Sequence, residues 1–410
     1  MSRPTVPGRK AMLGLLIVLS AVLAALAGVE VRARGKDGRT VYGVSFAPRG
    51  GRVAAVGEGG DAGSGRLWVW DAATGRRVAA VPVPGRPVSL AFAPDGSALA
   101  VGEWDGAVRL RDPSTGRVLR TFSGHSTPVR GLAFLPDGRT LAAGASDGRV
   151  VLWDVATGRE SSRFDRGLRY PVNGMAVSAD GRYLAAAGGL GAGAVSLWDL
   201  GSGRPVSPPL NAAGGEPVAF VPGRAVLAAR GKSLASGVDL IDLASGRALT
   251  VVPAAWVRGL AVSPDGRFVA AGGDEGFATV WEAATGRRVA GFAGHRYRPG
   301  PWDRLREAAA DFGLGRHRFE NVVWSVAFSP DGARLASAGQ DGAVWLWEVP
   351  PNRGPGRALL PRANPGVWRS AAGAAAGFAA LALLAVAVGG RGRRRPEAGG
   401  RVRPAQGRFG

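Results

Sequence analysis

The chain reads VRGLAFLPDGRTLAAGASDGRVVLWD at residues 129–154. Apolar runs in this stretch are separated by two turns, Pro136-Asp137-Gly138 and Ser146-Asp147-Gly148. Proline presets φ in the first turn, and glycine accepts a positive φ in both, so each turn divides two strands. We predict strands at 129–134, 140–143 and 149–153, and an outer strand at 160–164 after the turn Thr157-Gly158-Arg159.

This pattern recurs seven times along the chain. Each repeat ends in Trp-Asp or a variant of it: Trp70-Asp71, Arg111-Asp112, Trp153-Asp154, Trp198-Asp199, Ile241-Asp242, Trp281-Glu282 and Trp347-Glu348. Successive endings lie 41, 42, 45, 43, 40 and 66 residues apart. A period near forty residues with four short strands is typical of a propeller blade. The sequence therefore predicts an all-β fold, a seven-bladed β-propeller over residues 29–350.

The first strand of each repeat is expected on the inner side of the ring. These strands are predicted to begin near Val41, Pro87, Val129, Val172, Gly215, Val257 and Val323. The seventh repeat lacks the Thr-Gly-Arg turn, and a spare strand, residues 29–35, precedes the first repeat. We therefore expect Glu30 to Arg34 to pair beside the third strand of the seventh blade and to close the ring.

The repeats resemble the WD-repeat (WD40) family of β-propellers, in its membrane-tethered bacterial form. The Trp-Asp endings carry this resemblance, together with Gly124-His125 and Gly294-His295, which match the family's Gly-His signature. The resemblance covers roughly residues 29–350. It implies a rigid scaffold for protein–protein contacts, usually without catalysis, and it does not name the partner.

The resemblance also implies a buried network in which a His joins a turn Asp, a second-strand Ser or Thr and a third-strand Trp. The third repeat supplies His125, Asp147 and Trp153, but Ala143 stands where the hydroxyl is expected. The seventh repeat supplies Ser337, Asp341 and Trp347, with His295 as its histidine although an insertion separates it from the strand. We interpret both sets as structural braces rather than as active sites.

Both ends of the chain carry membrane signals. Residues 11–29 are uncharged and follow Arg3, Arg9 and Lys10, so segment 1–28 is predicted to be a signal peptide or an uncleaved anchor. Residues 351–369 are expected to form a linker, 370–390 a transmembrane helix and 391–410 a basic tail. Gly373 and Gly377 form a small-xxx-small pair, which suggests a weak homodimer.

The positions of the basic ends predict the orientation. Both should lie on the cytoplasmic side, which places the propeller in a periplasm-like space outside the membrane. The tail, residues 391–410, has a net charge of +6 and is expected to contact anionic lipid. The whole chain has a net charge of +21, but residues 11–349 carry only +8, so no nucleic-acid partner is expected.

The sequence offers no evident catalytic or metal-binding chemistry. It contains three histidines and no cysteine, which argues against a zinc or transition-metal cluster. No phosphate-binding loop, nucleophile elbow or dinucleotide fingerprint stands in a suitable context. The repeated Asp-Gly pairs are interpreted as turns. We therefore expect no cofactor, no metal and no catalytic residue.

An insertion at 296–321 explains the longest spacing between repeats. Its segment 302–312 has apolar residues at helical spacing, so we expect a short amphipathic helix that either caps a groove between blades or binds a partner. In the family this connection lies on the same face as the turn that holds Trp104. The candidate partner-binding residues are Trp104, Trp302, Arg306, Phe312 and Trp324.

The leading functional hypothesis is a membrane-tethered, non-enzymatic scaffold that binds a protein or peptide. One alternative is an extracytoplasmic propeller enzyme or ligand-binding protein, and another is a structural envelope assembly protein. A funnel lined by acids and histidines would favour the enzyme. An exposed patch of apolar and arginine side chains would favour the scaffold.

Overall fold

The computed structural model describes residues 40–49, 51–59, 64–164, 171–188, 191–192, 195–206, 210, 213–214, 217–231, 237–254, 256–295, 322–349 and 357–360. All of them belong to the first of two compact units, Met1–Ala363. Their regular secondary structure is β-strand throughout.

Seven antiparallel four-stranded sheets form the blades of a propeller. The inner strands are β1 (Val41–Phe46), β5 (Pro87–Phe92), β9 (Val129–Phe134), β13 (Gly174–Val177), β19 (Val218–Val221), β23 (Val257–Val262) and β27 (Val323–Phe328). The second strands are β2 (Arg52–Glu58), β6 (Leu99–Glu103), β10 (Thr140–Ala145), β14 (Tyr183–Ala187), β20 (Val226–Arg230), β24 (Phe268–Gly273) and β28 (Arg334–Gly339).

The third strands are β3 (Gly65–Asp71), β7 (Val108–Arg111), β11 (Val150–Asp154), β16 (Val195–Asp199), β21 (Val238–Asp242), β25 (Ala278–Glu282) and β29 (Val344–Glu348). The outer strands are β4 (Arg77–Val83), β8 (Val118–Phe122), β12 (Glu160–Phe164), β17 (Arg204–Pro205), β22 (Ala248–Val252), β26 (Arg288–Phe292) and β30 (Arg357–Leu360). A short pair, β15 (Gly191–Ala192) and β18 (Ala213–Gly214), lies beside blades 4 and 5. The seven-bladed all-β propeller is confirmed.

The second strand of each blade is buried on both faces, because a neighbouring blade packs on each side. In β10, Leu141 to Ala145 are all buried. A Cβ added to Gly144 would lie 2.4 Å from Val172 Cγ1 of the next blade, so the close approach of the blades requires glycine there. Small residues in the second strands therefore set the spacing of the ring.

The Pro-Asp-Gly turns form as predicted. Gly96, Gly138, Gly266 and Gly332 have φ between 68° and 75°. In each turn the Asp side chain accepts the backbone N–H two residues later, for example Arg139 N–H to Asp137 Oδ1 at 2.9 Å. The repeated Asp-Gly pairs are thus turn elements, because their carboxylates are engaged by the turn itself.

The predicted closure of the ring by residues 30–34 is wrong. The place beside β29 is occupied by β30, with Val344 opposite Leu360 and Leu346 opposite Arg357. The seventh blade lacks the Thr-Gly-Arg turn but keeps its outer strand. Eight residues separate β29 from β30, and closing a loop of this length has a small entropic cost. The seventh blade therefore extends past residue 350, into the predicted linker 351–369.

The ring closes instead by packing of blade 1 on blade 7. The Val44 N–H donates to Ser325 Oγ at 3.1 Å, and one hydrophobic cluster contains residues of both blades, including Val44, Trp70 and Leu346. Each blade in this arrangement is made from one continuous segment of chain.

The starts of the inner strands agree closely with the sequence. Five begin at the predicted residue, and the other two begin at Gly174 and Val218 rather than near Val172 and Gly215. Residues 1–39, the insertion 296–321 and residues 361–410 lie outside the described residues, as do the expectations for their helices. No helix among the described residues has the length and apolar character needed to span a membrane.

Candidate partner-binding face

A β-bulge opens the inner strands at one end of the ring. The pairing shifts by one residue between Val41 and Gly43, and the same shift occurs in blades 2, 3, 6 and 7. A bulge redirects the side chain of its extra residue. The extra residues of these bulges are Tyr42, Val88, Arg130, Arg258 and Trp324. Asn173 holds the equivalent position in blade 4, directly before β13.

These six residues line the opening of a central cavity of about 460 Å³. We call the cavity together with its opening the mouth. Its deeper wall includes apolar side chains such as Leu132, Met175 and Leu260. Among the described residues that line it, none is Asp, Glu or His. A cavity of this size accommodates a few side chains of a partner.

Trp104 stands at the rim of the mouth, in the turn between β6 and β7. Its side chain is 44% exposed, and its backbone N–H donates to the Arg86 carbonyl at 2.8 Å. The guanidinium carbons of Arg86 and Arg130 lie 5.0 and 5.4 Å from the centre of its ring. Such cation–π contacts hold the indole in place while it stays open to solvent.

Eight side chains follow one another around one side of the mouth and form what we call the mouth arc. They are Asp274, Arg258, Trp324, Tyr42, Glu58, Arg86, Trp104 and Arg130. They belong to blades 6, 7, 1, 2 and 3 in order around the ring.

The first half of the arc begins with an ion pair. Arg258 Nε lies 2.9 Å from Asp274 Oδ1, and the Arg258 guanidinium lies 5.6 Å from the centre of the Trp324 ring. The rings of Trp324 and Tyr42 are 6.4 Å apart and tilted by 58°. This half is therefore held by contacts that cross two blade boundaries.

The second half begins at Tyr42. Its hydroxyl donates to Glu58 Oε1 at 2.8 Å, and the same carboxylate lies 3.3 Å from Arg86 Nη2. Burial, followed by the hydrogen bond with Glu58, raises the pKa of the Tyr42 hydroxyl, so the hydroxyl keeps the proton it donates. Arg86 then leads to Trp104 and Arg130, which completes the arc.

Trp256 also projects from this face, in the connection between β22 and β23. Its side chain is 40% exposed and its φ is 52°. Among the described residues it is the one non-glycine residue with a positive φ. A bulky exposed residue in this conformation is strained, and such strain is concentrated at functional positions.

The structure brings together the four residues assigned to the seventh blade's network. His295 Nδ1 lies 2.8 Å from Asp341 Oδ1, and His295 Nε2 lies 2.8 Å from Ser337 Oγ. Trp347 Nε1–H donates to the same Ser337 Oγ at 2.8 Å. A neutral His295 that donates through Nδ1 to Asp341 and accepts the Ser337 hydroxyl through Nε2 satisfies every group.

The third blade's network is incomplete. His125 Nδ1 lies 3.3 Å from Asp147 Oδ2, and its ring meets Trp153 edge-on at 5.9 Å. Its Nε2 is buried without a hydrogen-bond partner among the described residues. The cause is Ala143, which lies opposite Val151 in the position that Ser337 occupies opposite Trp345.

The Ser337, His295 and Asp341 contacts have the order of a nucleophile, a base and an orienting acid. Ser337 and His295 are fully buried, and the serine oxygen already accepts from Trp347. A substrate carbonyl has no access to this oxygen, so the geometry is that of a structural brace. Among the described residues, no group of three or more His, Cys, Asp and Glu residues is placed to hold a metal ion.

The remaining candidate residues differ in position. Trp324 is a bulge residue of the mouth, and its Nε1 is buried without an acceptor among the described residues. Trp302, Arg306 and Phe312 lie outside the described residues. The sequence interpretation missed Tyr42, Arg130 and Arg258, although a common signal marks them: each follows the first residue of an inner strand.

The comparisons with known proteins agree with this architecture. The family profile "WD domain, G-beta repeat" matches residues 82–112, 116–154, 247–282 and 314–348. WD repeat-containing protein VIP3 of Arabidopsis thaliana is 34% identical over 107 residues, which is 22% of this chain and 32% of that protein. These findings support the WD-repeat family.

The match to VIP3 spans about a third of that protein's length. A chain in a solved structure, "Crystal Structure of Mitotic Checkpoint Complex", superimposes with a TM-score of 0.58 at 23% identity. That superposition covers 75% of this chain and 86% of the other. At this identity the likeness shows the fold alone.

Blade 2 departs from the WD pattern at two positions that contact each other. Glu103 ends β6, where the other blades have Gly57, Ala145, Gly188, Gly231, Gly273 and Gly339. The same blade has Arg111 where five others have Trp. In blades 3 and 7 the glycine before the inner strand packs on this Trp, but the corresponding Gly85 packs on the Glu103 carboxylate. The carboxylate therefore fills space that an indole fills elsewhere.

Glu103 is fully buried between two arginines. Its carboxylate contacts Arg109 Nη1, and its Oε1 lies 3.7 Å from Arg111 Nη2. Arg111 Nη1–H also donates to the Gly116 carbonyl at 3.0 Å. Burial raises the pKa of Glu103, while the ion pair with Arg109 acts against that shift. This cluster supports the turn that carries Trp104.

Proposed function

We propose that this WD-repeat propeller is a non-enzymatic interaction scaffold that binds a protein or peptide at the mouth. The carrying observation is the mouth arc. Its Trp104 and Arg130 side chains are exposed, and its other aromatic and arginine side chains are half-buried around a central cavity. Aromatic residues and arginine are the side chains most enriched at the energetic centres of protein interfaces. WD-repeat propellers are typically protein-interaction scaffolds, which supports the same proposal.

The composition of the mouth favours the scaffold over an enzyme. Hydrolytic or acid–base chemistry needs accessible groups that transfer protons, such as His, Asp or Glu. The described residues that line the cavity include none of these, and the two carboxylates of the mouth arc, Asp274 and Glu58, are paired with Arg258 and Arg86. The Ser337–His295 pair is buried. Binding through preformed aromatic and cationic groups is the chemistry that these side chains support.

The scaffold is further proposed to be tethered to a membrane, with its propeller on the outer side. The support is the uncharged stretches 11–29 and 370–390 and the basic residues that flank them. The insertion 296–321 lies in the sequence between β26 of blade 6 and β27 of blade 7, and it is proposed to extend the binding face.

Partner recovery tests the binding face. Full-length wild type, Trp104→Ala and a variant with a short polar linker in place of 296–321 are used as bait in membrane extracts. Arg117→Gln, a change in the turn at the opposite end of blade 2, is the matched control. We expect Trp104→Ala and the linker variant to recover less of the proteins that wild type and Arg117→Gln retain, with circular dichroism confirming the fold. Equal recovery by all four would show that this face does not bind.

Protease accessibility tests the topology. Protease added outside spheroplasts should digest the propeller and spare a tag placed after Gly410, because Arg391 to Arg395 are expected inside. Protection of the propeller would invert the proposed orientation. Release of the intact protein by high salt alone would remove the spanning helix from the proposal.

A further inference from the structure

The charges around the mouth do not cancel evenly. Arg258 pairs with Asp274 at 2.9 Å, and Arg86 pairs with Glu58 at 3.3 Å. Arg130 has no carboxylate partner among the described residues and is exposed. Among the described residues of the mouth, Arg130 is therefore the arginine whose positive charge is not neutralised by a carboxylate.

The position of Arg130 leaves its donors available. Its contact with Trp104 is a guanidinium over an aromatic ring, 5.4 Å from the ring centre. A guanidinium that uses its face for such a contact still presents N–H groups along its edge, in the fork that matches a carboxylate. The stack also limits the side-chain freedom that would otherwise be lost on binding.

The lining around Arg130 includes the polar residues Asn173 and Ser89 as well as apolar side chains. The lining of the mouth next to it includes Val88, Leu132 and Met175, and the exposed Trp104 lies beside them. An anion at Arg130 would thus be flanked by surface that gains from contact with an apolar side chain. Charge and polarity together define a ligand with an acid next to a hydrophobic residue.

We propose that the occupant of the mouth is an extended peptide segment of a partner protein, with an Asp or Glu bound by Arg130 and an adjacent apolar side chain against Trp104. This inference rests on the proposed function and adds the partner's chemistry. Of the chain's own ends, residues 1–10 contain no Asp or Glu, and residues 391–410 contain one acid, Glu397, among seven arginines.

A selection experiment tests the partner's chemistry without knowledge of its name. A random twelve-residue peptide library displayed on phage is selected on the full-length chain in detergent, with Arg117→Gln as a matched control. We expect enriched sequences to carry Asp or Glu next to Leu, Phe or Trp. The same selection on Arg130→Glu should lose those sequences.

Binding of one enriched peptide, labelled with fluorescein, is then measured by anisotropy. We expect Arg130→Gln and Trp104→Ala each to weaken affinity by about tenfold or more, and Arg130→Lys to weaken it less than Arg130→Gln. Replacing the peptide's acids by Gln or Asn should cause a similar loss. Arg117→Gln should bind as wild type does.

The outcomes separate the two proposals. Enriched peptides that are neutral or basic but still depend on Trp104 would overturn the acidic partner and leave the binding face intact. A selection that enriches no peptide, or peptides that bind both variants as well as wild type, would overturn the mouth as the binding site. Circular dichroism of each variant excludes loss of the fold as the cause.

Discussion

One hydroxyl distinguishes the bracing networks of blades 3 and 7. Ser337 links His295 to Trp347, whereas Ala143 leaves His125 Nε2 buried with no hydrogen-bond partner in the described part of the chain. A buried polar atom that lacks a hydrogen bond costs about 1–3 kcal/mol. The two blades therefore form a natural comparison within a single chain.

Ala143→Ser should stabilise the propeller. The new hydroxyl would lie between His125 Nε2 and the Trp153 indole, as Ser337 does in blade 7, and a gain of about 1 kcal/mol is expected. Chemical unfolding of the full chain measures it as a higher midpoint. The reciprocal change Ser337→Ala should cost about 1–3 kcal/mol, because it leaves His295 and Trp347 unsatisfied. A lower midpoint for Ala143→Ser would show that blade 3 has no room for the hydroxyl.

The sequence predicted some of the residues in the bracing networks and the mouth. It identified the members of both networks and the absent hydroxyl, because they recur at fixed positions in the repeat. It did not identify Arg130 or Arg258 as mouth residues, because their orientation depends on bulges that the apolar pattern does not reveal. It also did not anticipate Glu103, since a charged residue at a strand end is usually exposed.

Blade 2 has an ion-pair cluster, Glu103 with Arg109 and Arg111, where five other blades have a Trp at the end of the third strand. Glu103→Gly alone should cost about 3–5 kcal/mol, because Arg109 and Arg111 lose their buried counter-charge. Arg111→Trp alone should also destabilise, since the indole needs the space that Glu103 occupies. The double variant restores the pattern of the other blades and should recover most of the loss. Additive effects in this double-mutant cycle would mean that the two positions are uncoupled.

The outer strand of blade 7 covers the edge of β29. Deleting residues 357–360 removes β30 and exposes the edge of β29, so a lower melting temperature and aggregation are expected. Deleting residues 29–35 should have a smaller effect, since β29 keeps its partner. A larger loss on deletion of 29–35, measured by thermal melting and size-exclusion chromatography, would contradict this role of β30. The sequence pattern does not locate this strand, because a repeat without the Thr-Gly-Arg turn does not mark where its outer strand begins.

One carboxylate arrangement is repeated around the ring. In five blades an Asp at the end of the third strand, or directly after it, accepts hydrogen bonds from a Thr or Ser three residues later. These residues are Asp71, Asp112, Asp154, Asp199 and Asp242. Hydrogen bonds from the side chain or backbone of that Thr or Ser lower the pKa of each Asp. The propeller therefore carries several native carboxylates that hold protons less readily than the unfolded chain does.

The sign of this difference predicts acid sensitivity. Above the ordinary Asp pKa of about 3.9 the carboxylates are charged in both states, and their stabilising contribution is complete. As the pH falls below about 4 the unfolded chain takes up protons first, so stability declines until the lowered native pKa values are passed. Glu103 affects the pH dependence of stability in the opposite direction, because its pKa is raised in the native state. It is one group, whereas five Asp residues have lowered pKa values. Melting temperatures between pH 7 and pH 2 should fall steeply below pH 4, and Thr157→Ala should make the fall slightly shallower by returning the Asp154 pKa toward its ordinary value. A melting temperature that stays constant down to pH 2 would contradict this account of the turns.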